Sequence, residues 1–124
     1  MIKFWLMTTA VSGFLTVALG AIGAHSLKSV LTEYGSSIFE KAVLYQMFHT
    51  LALLGVGLLQ SVFRETDFSP AGFGFLTGIL LFSGSLYVLA LTGIKWLGAI
   101  TPVGGLAFLF GWAWLIFSIS RTRL

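Results

Sequence analysis

Two histidines, His25 and His49, carry most of the acid–base and metal-ligand capacity of this sequence, and no cysteine joins them. His49 lies in the stretch YQMFHTLALLG, Tyr45 to Gly55, where Tyr45, Gln46, His49 and Thr50 interrupt an apolar run. On a helix Tyr45 and His49 are one turn apart, as are Gln46 and Thr50, so all four fit one broad face. An ionisable side chain inside a membrane span marks a functional position. The competing reading is a neutral imidazole that fixes helix register through a hydrogen bond to Gln46, Tyr87 or a backbone carbonyl. His25, nearer a span end, fits an interfacial anchor. Together the two histidines offer the axial ligand pair of a haem. A catalytic zinc would need a third ligand that the sequence does not supply. Glu33, Glu40, Glu65 and Asp67 all fall in connecting segments. No carboxylate is therefore placed to orient a histidine for hydrolysis. Nor is there the membrane-embedded carboxylate on which small multidrug exporters rely.

The elements that must position these residues follow from composition. Of 124 residues, 57% are hydrophobic and 9% charged, against about 25% charged in a soluble domain. The mean hydropathy is +0.99. So few charges cannot cover a water-soluble surface, and the expected class is an all-α integral membrane protein forming one domain over residues 1–124. The net charge of +3 is scattered and forms no basic stripe, so no nucleic-acid partner is expected. The first apolar run, residues 4–24, is too long for a signal-peptide core and reads as a retained span.

Three further spans are expected over residues 38–63, 70–91 and 102–119, in a compact four-helix bundle. Between the first two, Leu27, Val30, Leu31, Tyr34 and Ile38 recur at helical spacing and predict a short interfacial helix ended by Gly35. Ser37 and Glu40 have capping-box spacing, which starts the second span near Ile38. Ser69 and Pro70 read as cap and first residue of the third span. Either Thr101 caps a fourth helix with Pro102 in its first turn, or one longer helix kinks at Pro102. The terminal side carries Lys3, Arg64, Arg121 and Arg123, the other side Lys28, Lys41 and Lys95. The positive-inside rule then puts both termini in the cytoplasm.

Depth gathers the polar residues at the face opposite the termini. His25 closes the first span there; Tyr45, Gln46, His49 and Thr50 lie one to three turns into the second. Ser83, Ser85 and Tyr87 occupy the matching half of the third span, and Thr101 starts the fourth. If the helix begins at Thr101, the amides of Val103, Gly104 and Gly105 lack intrahelical partners and would point into the cluster. Small residues supply helix contacts: the stripe Ser12, Thr16, Gly20 and Ala24, the pair Gly74 and Gly78, and the pair Ala107 and Gly111. They serve packing within the chain or a homo-oligomer seam.

LGAIGAHSL with His25, YQMFHTLAL with His49, FSGSLYVLAL and TPVGG occur in this order along nearly the whole chain. Together they resemble the small bacterial membrane proteins of domain-of-unknown-function family 423, which are similar to eukaryotic transmembrane protein 256. The resemblance implies a four-helix, multi-pass protein of the bacterial inner membrane, and it brings no mechanism. The functional expectation is a non-enzymatic binding or accessory module without a bound cofactor. Its polar cluster would receive a lipid headgroup, a small solute or a partner helix. Partners in view are the lipid bilayer, a second copy and another membrane protein. A bis-histidine haem or metal redox protein and a small transporter component are the alternatives.

Overall fold

The computed structural model describes residues 1–124 and is all helical. Four helices are long and apolar enough to cross a membrane: α1 (Ile2–His25), α2 (Glu33–Val62), α3 (Ser69–Thr92) and α4 (Thr101–Arg121).

The α1–α2 connection differs from expectation. Residues 26–31 form a run of turns and bends, with the amides of Val30 and Leu31 both bonded to the Leu27 carbonyl, and no interfacial helix forms. Thr32 is extended, and its side-chain oxygen accepts the Gly35 amide at 2.9 Å. That cap starts α2 at Glu33, five residues before Ile38, and absorbs Tyr34 and Gly35 into its first turn. A cap joined to a long apolar helix outcompetes a short surface helix that would have to nucleate alone.

A single glutamine shapes the α2–α3 turn: Gln60 Nε2 donates to the Thr66 carbonyl, and Gln60 Oε1 accepts the Phe68 amide. Phe68 rather than Ser69 holds the cap position of α3, and the Asp67 carboxylate accepts the Ser69 amide. Midway, Ile79–Ser83 widens into a π-helical turn. The sequence carries no sign of it. α3 ends at Gly93, whose left-handed φ of 72° suits glycine.

A 3₁₀ turn over Lys95–Ala99 leads into α4, which starts at Thr101 with Pro102 in its first turn and no kink. The Ile100 carbonyl accepts the amides of both Val103 and Gly104. The free amides expected there are therefore taken, because the helical path already begins at Ile100.

α1 packs along α2, α3 packs along α4, and α2 and α3 join the two pairs. The α3–α4 seam uses the small residues. A methyl group on Gly74 would stand 2.9 Å from the Ala107 carbonyl oxygen, and one on Gly111 2.6 Å from the Phe75 ring. A methyl on Gly104 would overlap the backbone of Leu81 and Phe82, so α4 rests directly on the π turn. Gly74, Gly78 and Gly111 are buried inside the chain, and this GxxxG serves intramolecular packing. The α1/α3 and α2/α4 edges lack close backbone approach, and each leaves a groove facing lipid.

Candidate functional site

Helix α2 advances about 100° per residue. Tyr45 and Gln46 therefore diverge, as do His49 and Thr50. The four side chains expected on one face split between two. Gln46 and Thr50 turn toward α1 and α3; Tyr45 and His49 turn toward α4.

Gln46 is the hub of the first group. Tyr87 donates its hydroxyl to Gln46 Oε1 at 2.6 Å. Gln46 Nε2 donates to the carbonyl and the hydroxyl of Ser12, each at 3.3 Å. Thr50 Oγ1 donates to the Gln46 carbonyl, so the 2.6 Å contact between Ser12 and Thr50 hydroxyls runs from Ser12 to Thr50. Thr16 adds a bond to the Ser12 carbonyl. Ser12, Gln46 and Thr50 are all buried. The network ties α1, α2 and α3 together with each of these side chains paired, which is how polar groups are tolerated in hydrocarbon.

His49 centres the second group. Its Nδ1 lies 2.8 Å from the Tyr45 carbonyl, and Trp112 Nε1 donates to its Nε2 at 3.0 Å. A carbonyl only accepts and an indole N–H only donates, so the imidazole is neutral with its proton on Nδ1. The ring stacks on Phe108 with centroids 3.6 Å apart and planes at 9°. Phe75 and Phe48 flank it. Of the two readings of His49, the neutral register-fixing one matches this geometry.

The remaining expected residues form separate contacts. Ser83 donates to the Ala42 carbonyl at 2.8 Å, joining the end of the π turn to α2. Ser85 and Thr101 hydroxyls meet at 2.6 Å, so Thr101 bonds across helices instead of capping α4. Gly104 is buried as a packing contact, and Gly105 lines the α2/α4 groove. His25 is exposed at the end of α1 and touches none of these groups. The single open cluster is thus replaced by a closed network around Gln46, a second group around His49 and two bridging serines.

A bis-histidine haem does not fit these residues: both His49 nitrogens are engaged, and His25 lies apart at the surface. No three His, Cys, Asp or Glu side chains gather closely enough to hold a metal. The groups that touch His49 are a carbonyl, an indole and phenyl rings, with no carboxylate to orient it for base catalysis.

Ser12, Thr16, Phe108 and Trp112 are site residues that sequence reasoning missed. In the sequence Ser12 and Thr16 read as small packing residues, and Trp112 as one of several interfacial or packing indoles.

The α2/α4 groove encloses about 820 Å³ between Tyr45, Phe48 and His49 on one side and Gly105, Phe108 and Trp112 on the other. The α1/α3 groove is smaller, about 570 Å³, with Ser12, Gln46 and Tyr87 along it. The two differ chemically. Polar groups of the smaller groove bond each other, whereas the half-exposed Tyr45 contributes only its backbone carbonyl to a bond, and its hydroxyl has no partner in the chain.

Four apolar helices held by buried polar networks, with grooves toward lipid, define a small multi-pass membrane protein. The chain belongs to the family described as protein of unknown function DUF423, whose profile matches residues 19–105. It is 44% identical over 119 residues to a UPF0382 membrane protein of Staphylococcus haemolyticus, covering 96% of this chain and 97% of that one. A UPF0382 membrane protein of Staphylococcus aureus is 42% identical with the same coverage. The UPF0382 inner membrane protein YgdD of Escherichia coli K12 is 39% identical over 121 residues, covering 98% and 92%. No solved structure matches the chain. The protein is a multi-pass protein of the bacterial cytoplasmic membrane.

Proposed function

We propose that this protein is a non-enzymatic binding module of the membrane whose site is the α2/α4 groove. Its ligand is a small bilayer amphiphile that presents a hydrogen-bond acceptor to Tyr45. The observation that carries the reading is the unpartnered Tyr45 hydroxyl in a groove of about 820 Å³. That volume falls in the range of about 300–1,000 Å³ typical of small-molecule sites. A hydroxyl without a partner in hydrocarbon is unfavourable by roughly 2–7 kcal/mol on water-to-alkane scales, which an acceptor on the ligand would offset. Phe48, Phe82 and Phe108 give the groove an aromatic lining for an apolar or ring-bearing body. The neutral His49, pinned by Trp112, holds the two walls at fixed separation.

Native mass spectra from a mild detergent test the reading. The wild type should retain a small adduct that Tyr45→Phe loses while eluting and melting like the wild type. A chain that carries no adduct under any extraction condition, or that co-purifies with a stoichiometric partner helix in its place, would overturn it.

A further inference from the structure

A third cavity, of about 780 Å³, opens where α1 ends and α2 begins, on the face opposite the termini. Its lining is graded along α2. Glu33, Ser36, Ser37 and Glu40 come from the first two turns of that helix, and Lys28 comes from the preceding turn. Deeper, Gly20 and Gly23 of α1 are covered by Val43 and Phe39 of α2, and Val43, Leu44 and Met47 give the cavity an apolar wall. From Glu40 to Met47, the deepest lining residue on α2, is about 10 Å along the axis. Charge thus sits at headgroup level and the apolar wall at acyl level.

These charges are exposed and do not pair with each other. Between His25 and Lys41 the one side-chain hydrogen bond is the Thr32 cap, and Lys28, Glu33 and Glu40 form no ion pair. The cavity offers one cation and two carboxylates, with two serine hydroxyls between them.

We infer that this cavity binds a zwitterionic glycerophospholipid with a primary-amine headgroup. Lys28 takes the phosphate. The ammonium, with three N–H donors, meets Glu33, Glu40 and the serine hydroxyls. One acyl chain runs along the wall of Val43, Leu44 and Met47. A headgroup with net negative charge meets two carboxylates against one lysine and is disfavoured. A quaternary choline has no N–H to donate and loses the hydroxyl contacts. The site is separate from the α2/α4 groove and does not depend on the function proposed for it.

Competition in native mass spectrometry tests the inference. Detergent-solubilised protein is offered equal amounts of palmitoyl-oleoyl phosphatidylethanolamine, phosphatidylcholine and phosphatidylglycerol. The ethanolamine lipid should be retained about fivefold over the glycerol lipid, with the choline lipid between them. Glu40→Gln should reduce ethanolamine-lipid retention about two- to fivefold. The Glu33→Lys, Glu40→Lys double variant should reverse the order in favour of phosphatidylglycerol, a gain that misfolding cannot mimic. Equal retention of the three lipids, a wild-type preference for phosphatidylglycerol, or an order unchanged in the double variant would each overturn the assignment.

Discussion

Tyr87 on α3 donates its hydroxyl to the side-chain oxygen of Gln46 on α2 at 2.6 Å, and the same amide reaches Ser12 on α1 through its nitrogen. One side chain therefore joins three helices in a medium where apolar contact between helices gains little over contact with lipid.

Gln46→Leu leaves the Tyr87 hydroxyl without its acceptor and should destabilise the fold by about 1–3 kcal/mol. Tyr87→Phe should cost less. In a double-mutant cycle the pair should couple by about 0.6 kcal/mol and no more than about 1.7 kcal/mol, the average and the maximum for interhelical hydrogen bonds in membranes. Unfolding in mixed detergent micelles measures it. Strict additivity would show that the bond contributes nothing.

The neighbours Gly104 and Gly105 should behave oppositely. Gly104→Ala puts a methyl into the backbone of the π turn. It should cost about 1–3 kcal/mol as overpacking. At Gly105 the nearest atom is 3.9 Å away on the Phe82 ring. Gly105→Ala should stay within about 0.5 kcal/mol of wild type. Thermal melts in detergent separate the two.

His49→Leu removes the acceptor of the Trp112 indole. The loss should be about 1–3 kcal/mol, and Trp112→Phe added to it should recover part by removing the unpaired donor. A double variant as unstable as the sum of the singles would mean that the indole finds no partner in His49.

Topology is testable directly. The terminal side carries four Lys and Arg residues, Lys3, Arg64, Arg121 and Arg123, against Lys28, Lys41 and Lys95 on the other. A fluorescent protein fused after Leu124 should fold and fluoresce, and alkaline phosphatase fused there should be inactive. Active phosphatase would invert the orientation and place the Lys28–Glu40 cavity in the cytoplasmic leaflet.

The four helices were legible because each is a long apolar run bounded by charges, Pro or Gly, and in lipid such runs have few alternatives. A helix start beside Pro102 was one of the two readings legible there, and the structure takes it, with Ile100 rather than Thr101 at the cap. The start of α2 was not legible, because Ser37 and Glu40 have capping-box spacing while the cap that forms is Thr32, five residues earlier. Gly35 illustrates this: expected to end a surface helix, it is buried in the first turn of α2, where a methyl would stand 3.3 Å from the Ala90 carbonyl oxygen. The π turn had no signature, since what marks it is the close packing of Gly104 on its backbone, which only the folded chain brings about. Gln46, His49, Thr50 and Tyr87 were legible as polar residues in a greasy chain, but their partition between two networks depends on which side of α2 each neighbouring helix occupies. Ser12 and Trp112 escaped because a small hydroxyl and an indole are ordinary in membrane helices. Only their partners, Gln46 and His49, give them a role.

Occupancy of the α2/α4 groove by a small amphiphile, as proposed above, can be read in the membrane itself. A photoreactive amino acid at Leu109, which lines that groove, tests it most directly when irradiated in intact membranes, with Phe14 on the exposed face of α1 as the control position. One small-molecule adduct should be enriched at Leu109 over Phe14 and lost when Tyr45→Phe is added. The same mixture of bulk lipid at both positions, or a protein-sized adduct at Leu109, would contradict it.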